Sequence, residues 1–416
     1  MKKYNTQDFK GKTNAFLENA NENIKDMKKN NPQKFIGTVL MLIASVVIVF
    51  AVLLAPEKKA VPTEADTTAP AEAASSVTEQ TTEEPTTELP TAGEYTVTNY
   101  IVVTDNAGME IYSIAKGKLT SYAEVINTFA AKVPDKQIYC MLAPTRIAFY
   151  GPDEYRTGQH SQPDGINIAY SALKGNNIKA IDAYGEISRH TNDYIYFRTD
   201  HHWTARGAYY AYNALCKATG QSYAPLESYQ SGKLDGFVGS MYRYTNSKVL
   251  ESHPDYVEYF MPIVDTDGQF FTTPEMSDGK TLRIITTNIT DRASKYMCFI
   301  QGDKALERIK TSSTSGKKIL VIKESYGNAL VPFLLENYSE VYVLDPRQSG
   351  VSSMSLKKFV DDNGIGEILF INYVMAPSNS KYMNALTNIV NTDPPTAAPA
   401  TAAPAPAPTE APAQQG

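Results

Sequence analysis

The sequence predicts an α/β fold with a parallel sheet, and the last third of the chain gives the clearest evidence for it. Three apolar runs of strand length, KKILVIK, SEVYVLD and EILFINY, occupy residues 317–323, 339–345 and 367–373. Between them, residues 328–338 and 355–363 carry apolar side chains at helical spacing. Because strands that alternate with helices pair in parallel through right-handed crossovers, this region predicts a parallel sheet covered by helices.

The preceding residues predict further elements of the same globular domain, which we expect to extend from 95 to 391. The expected elements are a strand pair at 99–104 and 109–114, a helix at 119–133, a buried strand at 136–142, a short strand at 193–197 and a helix at 205–220 that Gly220 closes. Residues 222–315 are rich in Tyr, Ser, Asp and Thr and are weakly patterned. We interpret them as an insertion with antiparallel strands near the functional site, either a lid or a glycan-binding subdomain.

The N-terminal region predicts a single membrane anchor. Residues 35–55 form an uncharged apolar run of 21 residues, and about 20 such residues are enough to cross a bilayer. Residues 1–34 contain eight lysines against four acidic residues, which predicts a cytoplasmic N-terminus and an extracellular domain. Residues 56–94 are rich in Thr, Pro, Ala and Glu, and residues 392–416 consist almost wholly of Pro, Ala and Thr. They predict a disordered stalk and a disordered tail.

The composition argues against two classes of protein. A formal net charge of −6 is not typical of a dedicated nucleic-acid-binding protein, which is normally basic. The chain has three cysteines, Cys140, Cys216 and Cys298, and all lie in apolar or helical runs. An odd and sparse set of this kind indicates buried thiols rather than a disulfide framework.

The first candidate site is the segment RTDHHWT at residues 198–204, between a predicted strand and a predicted helix. In an extended segment residues i and i+2 point the same way, so Asp200 and His202 share a face and His201 points to the other. A carboxylate beside an imidazole fixes its tautomer and stabilises its protonated form, as a general base requires. The structural alternative is that Asp200 or Thr204 caps the next helix and His202 is a core histidine. Because adjacent histidines cannot easily chelate one ion, we predict neither a metal nor another cofactor.

The second candidate site is the segment ESYG at residues 324–327, also between a strand and a helix. Ligands of open parallel sheets bind beyond the carboxyl ends of the strands, and Ser325 would present its hydroxyl there, beside a helix N-terminus. Gly327 permits a tight turn. A serine hydroxyl is a poor nucleophile near neutral pH without a base, which predicts that Ser325 is paired with His202. A helix-capping serine is the structural alternative.

The segment TDHHWT resembles the signature of the bacterial DHHW protein family. The order of Asp200, His202 and Ser325 is similar to that of the SGNH-hydrolase-like O-acetyltransferases that modify alginate, in which an Asp-x-His pair precedes the nucleophilic serine. The stretches YAEVINTFAAKV, IYCMLAPTRIAFYGP and LVIKESYGNALVPFL also resemble this family, so the resemblance covers about residues 95–375. It implies an SGNH-hydrolase-like, Rossmann-like α/β/α sandwich in which these three residues are catalytic.

The oxyanion-binding residues cannot be carried over from this resemblance by position, because the ordinary SGNH order, with the serine first, is reversed here. Arg347, Asn372 and Asn328 are candidates for the oxyanion contacts. Tyr326, Arg347 and Asn372 are the candidates for substrate binding.

Three functions follow from these observations. The first is the transfer of an acyl group, most simply acetyl, through acyl-Ser325 to a cell-surface or wall polysaccharide, with a multipass membrane acyltransferase as the implied donor. The second is a glycan O-acetyl esterase, in which water replaces the sugar hydroxyl. The third is a non-catalytic wall protein that binds glycans through the aromatic-rich residues 222–260. The membrane anchor and the resemblance to alginate acetylation favour the transferase.

Overall fold

The computed structural model describes residues 94–394 of the 416-residue chain. Within these residues the strands are β1 (Thr96–Thr98), β2 (Ile101–Val103), β3 (Gly108–Glu110), β4 (Gln137–Ala143), β5 (Ile178–Ala180), β6 (Ser231–Phe237), β7 (Asp255–Phe260), β8 (Thr266–Phe271), β9 (Lys280–Leu282), β10 (Leu306–Thr311), β11 (Lys318–Lys323), β12 (Glu340–Leu344) and β13 (Glu367–Tyr373). The α-helices are α1 (Lys116–Lys132), α2 (Ile147–Tyr150), α3 (Gln162–Ser171), α4 (Ala183–Ile187), α5 (Ala205–Thr219), α6 (Ser240–Thr245), α7 (Lys248–Ser252), α8 (Val331–Leu334), α9 (Leu356–Asp362) and α10 (Ser380–Asn391).

The centre of the fold is an eight-stranded sheet with the order β5-β4-β13-β11-β12-β10-β8-β9. The first five strands of this order are parallel, which confirms the parallel sheet for that part. The last three are antiparallel to their neighbours, so the whole sheet is mixed. These three strands come from the region 222–315, which therefore extends the sheet at one edge. The remaining strands form two small sheets, β1-β2-β3 and β6-β7.

Alternate side chains of the central strands face two separate cores, one on each side of the sheet. Val321 of β11 and Ile371 of β13 belong to one core, whereas their neighbours Leu320 and Phe370 belong to the other. The first core is covered by α5 and α8, and the second by α1, α9 and α10. The sheet thus lies between two helical layers. The DHHW segment, residues 200–203, lies on the side of α5, because Trp203 is part of the first core.

Two predicted elements differ from the structure. The predicted strand at 193–197 is wrong, since Tyr196 makes one isolated antiparallel bridge with Trp203 where the chain turns back. The predicted helix at 328–338 is instead a 3₁₀ turn at Ser325–Ala329 followed by the short helix α8. Pro332 lacks an amide N–H and is accommodated in the first turn of α8, so a continuous helix does not run through it.

The predicted membrane anchor at 35–55 lies outside the described residues, as does nearly all of the predicted stalk and tail. Within residues 94–394, none of the helices combines the length and the apolar character needed to cross a bilayer.

Helix α5 follows the DHHW segment directly and has the ends that the sequence predicts. The Thr204 hydroxyl accepts a hydrogen bond from the Gly207 amide at the N-terminus, and Gly220 adopts φ 72° after the last turn. Gly207 lets the helix approach the segment before it, because a Cβ atom there would lie 2.4 Å from the Ile195 carbonyl oxygen and 3.0 Å from Trp203 Cβ. The first turn of α5 therefore packs directly on the DHHW segment.

We expect Gly207→Ala to destabilise the domain although alanine is the better helix former. The added methyl group meets a backbone oxygen that cannot move aside, and overpacking of this kind costs about 1–3 kcal/mol. Gly117→Ala in α1 is the matched control, since a Cβ atom there has no neighbour within 4 Å. That variant should gain up to about 1 kcal/mol. Urea unfolding measures the stability of both variants. Equal unfolding midpoints for the two would contradict the close approach of α5 to Ile195 and Trp203.

Candidate active site

Ser325 lies directly beyond the carboxyl end of β11, a strand with a parallel neighbour on each side. It is the first residue of the 3₁₀ turn Ser325–Ala329, and its side chain is half-buried. The flanking strands β12 and β13 end at the same edge because all three run parallel. Ser325 is therefore placed where open parallel sheets collect their ligands.

The Asp200 and His202 side chains meet because the backbone between them turns. The Asp200 carboxylate accepts a hydrogen bond from the His202 amide at 3.0 Å, the arrangement of an Asx turn. The pairing that was predicted from strand alternation is thus observed, but its physical cause is different. His201 was expected to point to the opposite face, whereas its ring centroid lies 3.8 Å from that of His202. Its Nδ1 contacts the Ser240 hydroxyl at 2.7 Å, and the nitrogen that reaches Ser325 belongs to His202.

A continuous chain of hydrogen bonds joins the serine, the imidazole and the carboxylate. Ser325 Oγ lies 2.8 Å from His202 Nε2, and His202 Nδ1 lies 2.6 Å from Asp200 Oδ1. An ionised carboxylate can only accept, so Nδ1 carries the ring proton and Nε2 is left to accept the serine proton. This is the protonation state that a general base toward Ser325 requires.

The electrostatics of the site keep Asp200 ionised although it is buried. Burial by itself would raise the pKa of the Asp200 carboxyl, but the two adjacent imidazoles and the hydrogen bonds it accepts outweigh this effect and hold the pKa well below its usual range. One of those bonds comes from the Ser240 amide at 2.7 Å. Burial and the neighbouring His202 lower the pKa of His201, whereas the Asp200 carboxylate opposes that effect.

Tyr296, from the region 222–315, covers the imidazole of His202. Its ring is stacked on that of His202 with centroids 3.8 Å apart and an angle of 9° between the planes. Its hydroxyl donates to the Ser325 carbonyl oxygen at 3.1 Å. This region was predicted to lie near the site, but Tyr296 and Ser240 were not predicted, because neither residue lies in a patterned segment.

Two further hydrogen bonds join the turn of His202 to the turn of Ser325. The Trp203 indole N–H donates to the Tyr326 carbonyl oxygen at 2.9 Å, and the Tyr326 hydroxyl donates to the His201 carbonyl oxygen. Trp203 and Tyr326 are both fully buried. The relative position of the two turns is therefore set by the core beneath them.

Glu324 holds the serine turn from the other side. Its buried carboxylate accepts hydrogen bonds from the Tyr326 amide at 3.0 Å and from the Tyr373 amide, at the end of β13, at 2.9 Å. One of its oxygens also lies 3.4 Å from Ser325 Oγ. Burial raises the pKa of Glu324, and the two amide bonds oppose that rise. The acidic residue next to Ser325 in ESYG was the available sequence signal for this role.

The residues predicted to bind substrate have different environments. Tyr326 and Asn372 are fully buried, and the Asn372 carboxamide oxygen accepts from the Tyr122 and Tyr382 hydroxyls at 2.9 Å each. Burial argues against the predicted substrate-binding role of both and indicates a structural one. Arg347 is part-exposed at the same edge and is held by Asp345 and Asp303 at 2.6 Å each. Its role in substrate binding stays a prediction.

Asn328, the remaining oxyanion candidate, is also buried, and its carboxamide bonds to Lys323 and Asp303. This engagement argues against an oxyanion role in the observed conformation.

Asp200, His201 and His202 could in principle hold a metal ion, because one ligand atom from each lies within 4.8 Å of the others. Asp200 Oδ1 and the Nδ1 atoms of both histidines are already engaged in hydrogen bonds within the pair or to Ser240. A catalytic zinc site normally has three protein ligands arranged around the ion, which adjacent residues provide only with difficulty. The prediction of a site without metal or cofactor therefore stays a prediction.

The fold and the site define an α/β protein with a hydroxyl, an imidazole and a carboxylate in line at the carboxyl edge of its central sheet. The model of the DHHW protein family matches residues 67–344, which is more than half of the chain. The chain therefore belongs to the DHHW family. A search of curated protein sequences gives no significant match.

Solved structures agree with this assignment. The crystal structure of a DHHW family protein from Eubacterium siraeum is similar with a TM-score of 0.64 and 30% identity, over 72% of this chain and 98% of that one. PatB1 from Bacillus cereus is similar with a TM-score of 0.54 and 17% identity, over 70% of this chain and 98% of its own. A second PatB1 structure, with a sulfonyl adduct, gives a TM-score of 0.56 at the same identity and coverage. At this identity the similarity to PatB1 shows the fold alone.

We expect Glu324→Gln to loosen the serine turn. A glutamine side chain has one carbonyl oxygen, so it can satisfy the Tyr326 or the Tyr373 amide but presents its own N–H₂ to the other. Leaving one buried N–H unpaired costs about 1–3 kcal/mol. Amide hydrogen exchange at Tyr326 and Tyr373 should become faster, and the free energy of unfolding should fall.

Glu275 is exposed, and Glu275→Gln is the matched control. It should change neither the amide exchange rates nor the free energy of unfolding. Unchanged exchange at both amides in Glu324→Gln would show that the carboxylate does not hold the turn.

Proposed function

We propose that this protein is a serine-dependent O-acyltransferase that moves an acyl group, most simply acetyl, onto a hydroxyl of a cell-surface or wall polysaccharide. The observation that carries the proposal is the continuous hydrogen-bonded chain Ser325–His202–Asp200, with distances of 2.8 Å and 2.6 Å. A serine with this arrangement is suited to form an acyl-enzyme. The resemblance of the DHHW segment to SGNH-hydrolase-like O-acetyltransferases favours transfer to a sugar.

In the first half of the proposed reaction Ser325 takes the acyl group. As Oγ attacks the acyl carbonyl carbon, His202 Nε2 accepts the hydroxyl proton, and ionised Asp200 stabilises the imidazolium that forms. The tetrahedral intermediate collapses when the bond to the leaving group breaks and His202 returns the proton to that group. The products are acyl-Ser325 and the free alcohol or thiol of the donor.

In the second half a sugar hydroxyl replaces the leaving group. His202 removes its proton as the sugar oxygen attacks the acyl-Ser325 carbonyl, and the proton then returns to Ser325 Oγ as the ester to the enzyme breaks. If water attacks instead, the same residues catalyse hydrolysis, and the protein is a glycan O-acetyl esterase. The choice depends on which hydroxyl reaches the acyl-enzyme, so an acceptor experiment separates the two reactions.

The proposed location and partners rest on the sequence. The uncharged run at 35–55 and the lysine-rich residues before it favour a single-pass anchor with the catalytic domain outside the cell. A domain so placed needs an acyl donor at the membrane, for which we propose a multipass membrane acyltransferase. The net charge of −6 gives no support to a nucleic-acid partner.

We expect the purified domain to release acetate slowly from p-nitrophenyl acetate and to lose that activity when the site is altered. Ser325→Ala removes the nucleophile and His202→Ala removes its base, so each should reduce kcat on the order of 10³-fold or more. Asp200→Asn should cost less, since the nucleophile and the base remain. De-O-acetylated wall polysaccharide added to the wild type should receive the acetyl group if the enzyme is a transferase.

The matched controls are Ser252→Ala and His253→Ala, two exposed positions elsewhere on the domain, which should retain full activity. Full activity in Ser325→Ala would disprove the catalytic assignment. Failure of the folded wild type to turn over any activated ester, together with retained polysaccharide binding, would favour the non-catalytic glycan-binding function.

We expect protease added to intact cells to remove the domain, because the proposed topology places everything after residue 55 outside. Immunoblotting with an antibody to the domain, beside a cytoplasmic marker that should survive, gives the measurement. A domain that stays protected while a known surface protein is digested would reverse the topology and exclude a surface glycan as substrate.

A further inference from the structure

Exposed aromatic side chains are confined to one place in the described part of the molecule. Of all the Tyr, Phe and Trp residues within 94–394, only Tyr100 and Tyr244 are exposed, at 83% and 51%. They are 144 positions apart in the sequence, yet a hydrogen bond of 2.8 Å runs from the Asn99 side-chain amide to the Tyr244 carbonyl oxygen. Asn99 immediately precedes Tyr100, so the two exposed rings lie on neighbouring segments.

Tyr100 occupies a strained backbone conformation. It forms with Asn99 the two-residue turn between β1 and β2, in which Thr98 pairs with Ile101. Both turn residues have positive φ, 52° and 61°. A turn of this type usually has Asn followed by Gly, because a residue with a Cβ atom pays about 1–2 kcal/mol in the left-handed region. Tyr100 does not recover this energy by burial, which points to a function for its exposed ring.

The same surface is connected to the Asp200–His202 pair. Tyr244 belongs to α6, and the first residue of that helix is Ser240, whose amide and hydroxyl bond to Asp200 and His201. A displacement of α6 would therefore be felt at the site. Tyr244 and the residue that bonds to Asp200 thus lie on the same short helix.

Tyr373, whose ring is half-buried, packs against the residues of the site. It is stacked on Tyr326 with centroids 5.1 Å apart, and it lies 6.1 Å from the ring of His201. Burial chiefly raises the pKa of Tyr373, and Glu110, Glu324 and, to a smaller extent, Tyr244 add to that effect. A part-exposed aromatic ring therefore adjoins the turn that carries Ser325.

We propose that Tyr100 and Tyr244 form an acceptor platform, on which a pyranose ring of the polysaccharide stacks while a neighbouring hydroxyl reaches acyl-Ser325. This inference rests on the proposed function and names the part of the protein that recognises the acceptor. A pyranose presents C–H groups on its faces and hydroxyls at its rim. The apolar ring of an exposed tyrosine can contact the C–H face of the sugar, and the tyrosine hydroxyl can hydrogen bond to the sugar hydroxyls.

The test uses Tyr100→Ala, Tyr244→Ala and Tyr100→Gly in the whole protein. De-O-acetylated polysaccharide from the wall of the producing cells is the acceptor, and p-nitrophenyl acetate is the acyl donor. We expect each change to raise the KM for polysaccharide on the order of tenfold, the equivalent of about 1.4 kcal/mol. Hydrolysis of the ester alone should stay within about twofold, since no sugar takes part.

Tyr100→Gly separates a binding role from a structural one. Glycine accepts a φ of 61° without strain, so this variant should unfold at a higher temperature than the wild type while it loses acceptor binding. Ile263→Ala removes exposed apolar surface elsewhere and is the matched control, with no expected change in KM. An unchanged polysaccharide KM in both alanine variants would overturn the platform, as would a parallel loss of ester hydrolysis.

If the wild type hydrolyses no ester, the proposed reaction fails but the platform is still tested. Direct binding of the same polysaccharide, measured by calorimetry, should then weaken in the tyrosine variants and persist in Ile263→Ala. Equal binding by all variants, or none by the wild type, would overturn the platform on its own.

Discussion

The geometry of the site depends on two hydrogen bonds that join turns from distant parts of the chain. The Trp203 indole donates to the Tyr326 carbonyl oxygen, and the Tyr326 hydroxyl donates back to the His201 carbonyl oxygen. Both donors lie in the core, where an unpaired polar group costs about 1–3 kcal/mol. Movement of either turn would break both bonds together. The distance of 2.8 Å between Ser325 and His202 is therefore a consequence of core packing as much as of their own contact.

A second group of buried polar contacts fixes the end of β11. Lys323 is fully buried and its ammonium group lies 2.9 Å from Asp303, which is in turn bridged to Arg347. Those two cations lower the pKa of Asp303 despite the burial that would raise it. Buried charges are stable only when they are paired in this way. Glu324 follows Lys323 directly and accepts hydrogen bonds from the Tyr326 and Tyr373 amides. The backbone around Ser325 is therefore held by the ion pairs of Lys323 and by the hydrogen bonds of Glu324.

The sequence was informative where local patterns decide the structure. The strands β4 and β11–β13 are uninterrupted apolar runs, and α5 begins and ends at the residues that cap it. The proximity of Asp200, His202 and Ser325 was also predicted, because each of these residues stands at an element boundary. Antiparallel strands were predicted within 222–315 and are observed, but their place in the central sheet was not predicted. The edge of the sheet supplies their pairing partner, and a local sequence pattern does not record such a distant partner. Tyr296 lies in a short 3₁₀ turn of the same region, and its stacking on His202 is likewise a contact between residues far apart in the sequence.

The central claim, that Ser325 carries the acyl group between donor and acceptor, can be tested by locating that group. Wild-type protein is mixed with p-nitrophenyl acetate, quenched in acid during turnover and digested, and the peptides are analysed by mass spectrometry. We expect one acetyl group on the peptide that contains Ser325, mapped to that residue, and its disappearance when de-O-acetylated polysaccharide is added before quenching. Acetyl found on another residue, or ester turnover with no acylated peptide at any quench time, would contradict the account.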